Sequence, residues 1–486
     1  MLGLLWIACS GPEQPEPLSV DEPDDTGVAA PTTETGSAPD PDGLTPAERA
    51  ALANALPASP IAAATPSAMG HFQVARQAST HLAGPSGDVD VQVVLFEPDA
   101  GIDIGTSPWH VVPRPDYPGG GYTVWGTGLT HTYKLEVSNE AFAFVDAFEV
   151  NAIPSSIPWN LLALADGRVM VPDQNGYRGE VEACTATDPS FLFLSDDPDL
   201  RTSGIDCDGV FELTAADLRA ACDASGVYQR FFSGTSLVPT FTGPFVTTAT
   251  FSQNDVNQNY LVAFDPDGDG VLACTPLDSD STNEIAAEPV DATTTALYIA
   301  TETAVVKATF DDAADQLTTV WTRDVPLRAR TGTTPTLVDT SDGERFVVLV
   351  DGRCAVSNVL NGLIVCDEDT SPSRLVAVRR DDALGGRDAV LTTDLPAWLT
   401  AAENSPAARG DRVVVANYSG YLPNGLQIPP GAPRPEGGPG TYQVSPDAEA
   451  VFSTGFTVLV WRDGGFTVDW SEPDRQASGV PLVSEG

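Results

Sequence analysis

Lysine is almost missing from this 486-residue chain. Lys134 and Lys307 are the only two, and 24 basic residues face 68 acidic ones, for a formal charge of −44. Such a surface repels phosphate backbones and anionic headgroups, so nucleic acid is not an expected partner and no basic patch serves a membrane. The charge favours solubility, including in a salty medium where self-repulsion is screened; cation binding is the sharper alternative. Histidine is nearly as scarce. His71, His81, His110 and His131 all precede the clearest repeats, so no histidine triad or histidine metal site is expected among them. There is no CxxC pair, G-x-S-x-G elbow, P-loop or HExxH motif, which leaves the chemistries those motifs carry without support. With 43 glycines and 41 prolines, the chain is cut into segments too short for a long-helix protein.

Seven cysteines are present. Cys9 stands apart near the N-terminus, and the remaining six allow three disulfides, which suits an oxidising compartment. Cys354 and Cys366 enclose a short loop and are the expected pair. Among Cys184, Cys207, Cys222 and Cys274 three connectivities are open. Cys207–Cys222 with Cys184–Cys274 is the preferred one, and buried free thiols are the competing reading.

The uncharged start MLGLLWIACSG places Trp6-Ile7-Ala8 before Cys9. This resembles a bacterial lipobox, with tryptophan where leucine is usual, and implies lipidation at Cys9. Residues 1–9 are then the remnant of a signal peptide. The apolar run is shorter than expected, so the natural start is placed upstream. Residues 10–44 follow as a tether: positions 10–43 hold nine acids, seven prolines and no basic residue. Such a composition cannot bury enough apolar surface to offset its ordering entropy. Thr45-Pro46-Ala47-Glu48 forms a capping box, predicting a short helix over 46–56 within a lead-in spanning 45–87.

From residue 88 the pattern turns to period two. VDVQVVLF (89–96), YLVAF (260–264), ALYIAT (296–301), RFVVLV (345–350), RLVAV (374–378), RVVVAN (412–417) and FTVLVW (456–461) read as strands. Asp463-Gly464-Gly465 marks a hairpin turn. Helical periodicity is confined to LTAADLRAAC (213–222), with Thr214 as its cap. Five stretches repeat a proline, a link, an apolar strand and a turn: 157–176, 288–310, 334–352, 405–421 and 480–486, with 243–251 as a weaker sixth. Pro244, Pro289 and Pro335 follow one another at 45 and 46 residues, the length of one four-stranded blade. The expected fold is an all-β propeller over 88–486 with about six to eight four-stranded blades. A disulfide-bearing insertion is placed at about 176–230. The last repeat, VPLVSEG, stops where its strand should begin. Either N-terminal strands complete that blade or the C-terminus is cut, the latter being preferred.

TGTTPTL through FVVLVDG to AENSPAARGDRVVVANYSGY, together with NEIAAEPVDATTTALYIATETAVVKATF, resembles the quinoprotein-like, or PQQ-like, β-propellers. The resemblance runs from Ile157 to the C-terminus and concerns the blades alone. The tryptophan-docking repeat, vicinal disulfide and haem CxxCH of the enzymatic members are missing, so pyrroloquinoline quinone is not implied. Inner-strand starts would place Trp159, Asn160, Thr334, Asn404 and Asn417 around a central channel. Asp265, Asp267 and Asp269 have the D-x-D-x-D-G spacing of a calcium loop. Pro276 stands where an EF-hand needs glutamate, and an acidic turn between strands is the competing reading.

Two functions follow. The first is an extracytoplasmic, lipid-anchored propeller at the cell surface, outer membrane or periplasm, monomeric, binding an unidentified protein or small molecule. The second is an enzyme of quinoprotein-dehydrogenase, hydrolase or lyase type with its site in the channel. No catalytic residue or cofactor is named by the sequence, beyond the calcium reading.

Overall fold

The computed structural model describes residues 59–62, 79–83, 110–113, 121–127, 131–138, 142–149, 161–173, 184–186, 190–195, 205–229, 237–254, 256–268, 270–279, 281–325, 327, 333–352, 354–358, 363–366, 371–397, 399, 405–416, 456–472 and 483–485. All belong to one compact unit, Pro46–Gly486. Cys9, the tether, the 46–56 helix and the strand at 89–96 lie outside the described residues.

The described residues build six consecutive antiparallel sheets, each four strands wide. The first strand is β1 (Ser79–Ala83), which joins none of the six. Sheet one holds β2 (His110–Pro113), β3 (Gly121–Thr127), β4 (His131–Ser138) and β5 (Phe142–Glu149). Sheet two holds β6 (Leu162–Ala163), β7 (Arg168–Asp173), β8 (Ser190–Ser195) and β9 (Cys207–Glu212). A helix, α1 (Ala215–Cys222), precedes sheet three. There β10 (Val227–Gln229) and β11 (Leu237–Pro239) share one edge of β12 (Phe245–Gln253), followed by β13 (Val256–Asp265) and β14 (Gly270–Leu277). Sheet four runs β15 (Ser281–Pro289), β16 (Thr294–Thr301), β17 (Ala304–Asp311) and β18 (Gln316–Asp324). Sheet five orders β19 (Thr336–Asp339), β20 (Arg345–Asp351), β23 (Arg374–Arg379) and β24 (Val390–Asp394). Between its second and third strands it carries a separate hairpin, β21 (Cys354–Asn358) and β22 (Leu363–Cys366). Sheet six holds β25 (Ala407–Arg409), β26 (Arg412–Ala416), β27 (Phe456–Arg462) and β28 (Gly465–Glu472). Finally β29 (Val483–Glu485) pairs in parallel with β1, and both pack on β25. An N-terminal strand thus joins the last repeat.

The core shows why these sheets are blades. Five apolar clusters each join one sheet to the next, from Trp125 with Val169 and Leu192 through to Phe346 with Leu459 and Trp461. Leu297 and Ile299 of β16 face sheet three, while Ala296, Tyr298 and Ala300 face sheet five. A strand covered on both faces needs apolar residues at every position, which is why RFVVLV is a continuous run and not an alternating one. Burial of each valine, leucine, isoleucine or phenylalanine there contributes about 1.5–3 kcal/mol. First strands pack on first strands (β2 on β6, β11 on β15, β19 on β25) and last on last (β14 on β18, β24 on β28). That is the radial order of a propeller.

The structure corrects several expectations. Pro244 stands just before the second strand of sheet three, Pro289 ends the first strand of sheet four, and Pro335 precedes the first strand of sheet five. The interval matched a blade, but the prolines mark different points in it. The region at 176–230 is no mere insertion: β8 and β9, the outer half of sheet two, lie within it. The disulfides there are Cys184–Cys207 and Cys222–Cys274, with Cα separations of 6.0 and 5.0 Å, in place of Cys207–Cys222 and Cys184–Cys274. The first ties a loop of sheet two to β9; the second ties α1 to β14. Cys184 and Cys207 pack in the apolar cluster between sheets one and two, whereas Cys222 and Cys274 belong to the cluster between sheets two and three, so the fold separates Cys207 from the helix end. Thr214 caps α1 as expected, its Oγ1 accepting from the Asp217 amide at 3.1 Å. Asp463 and Gly464 (φ 52° and 81°) form the two-residue turn of the β27–β28 hairpin, in the left-handed region that favours glycine.

Sheets five and six are also joined by polar contacts. Trp461 Nε1 donates to Asp342 Oδ2 at 2.9 Å, and Ser341 donates to Asp411 through its amide (2.7 Å) and hydroxyl (2.6 Å). Hydrogen bonds from Thr340 and then Trp461 hold the Asp342 carboxyl below its usual range. A depressed carboxyl stabilises the fold above its unfolded pKa and loses that contribution as pH falls through the folded value. Acid should therefore weaken this seam below about pH 4. Trp461 fluorescence followed on acidification should report a transition in the native protein that is absent in Asp342→Asn; identical curves would rule the contact out as its source.

Candidate functional site

A cleft of about 410 Å³ opens where the strand-connecting turns of sheets two, three and four meet. Its floor is apolar. Leu164, Phe193, Phe245 and Leu272 line it, and behind them Phe264 stacks on Phe191 and Phe211 with ring centroids 5.0 and 5.1 Å apart. One wall comes from the chain ahead of the sheets. Ile61 accepts the Ala165 amide at 2.8 Å, Ala62 bridges Leu164, and Ser59 donates to the Thr240 carbonyl at 2.9 Å. Pro60 and Ile61 are thereby fixed against the turns.

The rim is acidic because short turns between strands carry aspartates. Asp166 comes from the β6–β7 turn, Asp265 and Asp267 from β13–β14, and Asp312 and Asp315 from β17–β18. One guanidinium, Arg168, faces these five carboxylates among the described lining residues. It lies 4.8 Å above the Phe193 ring, pairs with Asp166 at 2.7 Å and approaches Asp267 at 3.5 Å. Burial works against its charge, but the bonds and attraction of Asp166, then Asp267, outweigh this and raise its pKa. These pairs are partly exposed, so each is worth less than about 1 kcal/mol. Their effect is to fix a cation over the floor and leave acceptor oxygens around the mouth.

A second charged assembly lies on the turn side of sheets four and five. Arg380, fully buried, pairs with Glu288 and Asp339. Glu288 also accepts from Arg345 at 2.7 Å and from the Tyr298 hydroxyl at 2.6 Å. Burial, then the Glu288 charge, pushes the Tyr298 phenol above its ordinary pKa. Lys307 reaches Asp382 at 2.7 Å, Arg323 donates to the carbonyls of Arg379 and Asp381, and Glu344 takes Arg379 and Arg387. Six of the 24 basic residues are spent on this one seam. Two adjacent arginines at the end of a strand, in a chain so poor in base, were the signal for it, and the sequence reading did not use it. The cleft had a fainter signal, the Asp166-Gly167-Arg168 turn.

The expected site residues are scattered. Trp159, Asn160, Asn404 and Asn417 lie outside the described residues. Thr334 is fully buried; its amide donates to Ser405 Oγ at 2.9 Å and its hydroxyl to Glu284 at 3.3 Å. It fastens the inner strands of sheets four, five and six together and does not front an open space. Asp265 Oδ1 accepts the Asp267 amide at 3.0 Å, closing the turn, while Asp267 faces Arg168. Asp269 lies outside the described residues. Among the described residues no three histidine, cysteine or carboxylate side chains gather as a metal site.

No family model matches the chain, and no curated protein does. Solved structures similar to it include a candidate 6-phosphogluconolactonase from Bacteroides fragilis (12% identity, TM-score 0.33, 72% of this chain and 82% of that one). A polysaccharide lyase (8%, 0.33, 86% and 89%) and TolB from Acinetobacter baumannii (10%, 0.28, 76% and 63%) are others. At this level of similarity none assigns a function, and the propeller-like fold rests on the sheets themselves.

Proposed function

We propose that this protein is an extracytoplasmic, lipid-anchored propeller that binds its ligand or partner on the turn face of sheets two to four, within the PQQ-like class of blades. The observation that carries this is the cleft: an apolar floor of Leu164, Phe193, Phe245 and Leu272, an acidic rim and a single pinned guanidinium among its described lining residues. Pockets that are apolar with a few placed polar groups are the usual form of a ligand site. The chemistry favours a ligand with a cation beside an apolar body, such as an aryl-alkyl amine or a lysine or arginine side chain of a partner. The two disulfides suit an oxidising compartment, and Cys9 would hold the anchor.

Titration calorimetry with phenethylamine, phenylpropanol and phenylpropionate tests the cleft. The amine should bind wild type at least about tenfold more tightly than the other two, a difference of about 1.4 kcal/mol. Ala165→Trp, which fills the exposed lip of the cleft, should abolish it. Equal binding of all three, or amine binding untouched in Ala165→Trp, would refute the assignment. Radiolabelled palmitate should enter the wild-type chain in its host and not Cys9→Ser; equal incorporation would remove the anchor.

A further inference from the structure

We infer that Cys354 and Cys366 form a third disulfide, stapling the hairpin that sheet five carries between its second and third strands. The backbone register sets Cys354 directly opposite Cys366 as the end pair of the β21–β22 ladder, followed by Ala355 opposite Val365 and Val356 opposite Ile364. Directly opposed residues of an antiparallel pair have Cα atoms about 4.5–5.5 Å apart, within the roughly 4.4–6.8 Å that a disulfide spans. Sequence alone showed two cysteines bounding a loop; the ladder shows that the fold brings their backbones face to face.

The hairpin has reason to need the bond. It forms a two-stranded sheet of its own, hydrogen-bonded to no other sheet among the described residues. A two-stranded hairpin by itself is marginal in water. Its root is already gripped by Arg374, whose Nη2 donates to Asp351 Oδ2 at 2.5 Å across the β20–β23 pair. Cys354 follows Asp351 by three residues, so a disulfide there would extend the grip from the blade into the arm. The arm leaves the blade at the end opposite the turns that line the cleft, so this inference stands apart from the ligand site. Four of the other five cysteines are joined to one another, and the fifth is Cys9.

The bond forms by thiol–disulfide exchange. One thiolate attacks a disulfide-bearing oxidant, the second displaces it, and the two thiols give up two protons and two electrons while the oxidant leaves as a dithiol. The same class of oxidant serves Cys184–Cys207 and Cys222–Cys274. Full-length protein exported to an oxidising compartment is denatured in N-ethylmaleimide without reductant and digested with trypsin. Residues 354–374 come off as one peptide holding both cysteines. The expected product is that peptide lighter by two hydrogens and unlabelled, gaining two maleimides only after reduction. In native protein, protease cleavage between 357 and 363 should quicken about tenfold in the double variant Cys354→Ser/Cys366→Ser, as local opening becomes easier. Two maleimides on the unreduced peptide while the other two disulfides are intact, or a link from either cysteine to Cys9, would overturn the inference.

Discussion

Replacing Arg380 with methionine should destabilise the protein by about 3–5 kcal/mol, because it strands buried carboxylate charge. Arg380 is fully buried and Glu288 nearly so. Without the guanidinium, Glu288 keeps Arg345 and the Tyr298 hydroxyl, which places the expected loss toward the lower end of that range. Asp339 keeps a longer contact to Arg345 at 3.8 Å. Adding Glu288→Gln should recover part of the loss, since a neutral amide can still accept from Tyr298, and a coupling of about 0.5–3 kcal/mol is expected for residues in one network. The pair is shielded from solvent and should respond weakly to salt, whereas Lys307–Asp382, whose carboxylate side is mostly exposed, should be screened. Urea unfolding of the two single variants and the double variant checks this. Additive losses would mean that Arg380 and Glu288 do not act as a pair.

Removing the Cys222–Cys274 bond should be the largest loss from any covalent change among the described residues. Its cysteines are 52 residues apart, and chain-entropy reasoning gives ~4 kcal/mol, against ~3 kcal/mol for Cys184–Cys207 with 23. The effect has a location. Cys222 and Leu218 are the buried residues of α1, an eight-residue helix too short to hold by itself. Its last residue is bonded to β14, the outer strand of sheet three. The variant Cys222→Ser/Cys274→Ser should lose hydrogen-exchange protection first over 215–222, before the six sheets open. A variant as stable as wild type, with α1 still protected, would show that packing of Leu218 alone retains the helix.

How much of this was legible beforehand follows from which forces act locally. The strands at 260–264, 296–301, 345–350, 374–378 and 456–461 stood out as short apolar runs ending in turn residues, and the structure places each of them in a sheet. The period-two reading fails at 296–301 and 345–350, where neighbouring blades cover both faces and the run is continuously apolar. The Asp463-Gly464 turn was legible because few residues other than glycine tolerate its backbone. The half of sheet two at 190–212 was not, since SFLFLS is short and is flanked by acidic loops that resemble an insertion. Disulfide partners depend on where a strand turns its cysteine, which spacing does not encode. The Glu288–Arg380 seam joins residues 92 apart, and the cleft gathers turns from three sheets; neither exists until the blades stack. Thr334 lies two residues before β19, and its bonds to Glu284 and Ser405 serve the stacking of blades.

The placement of the ligand site on the turn face, and not in the central channel, is the claim on which the functional account rests. Hydrogen–deuterium exchange of the full chain with and without saturating phenethylamine tests it most directly. Protection confined to 164–168, 240–245, 265–272 and 312–315 is the predicted result. Protection at the inner-strand starts around Thr334 and Ser405, with those turns unchanged, would contradict it.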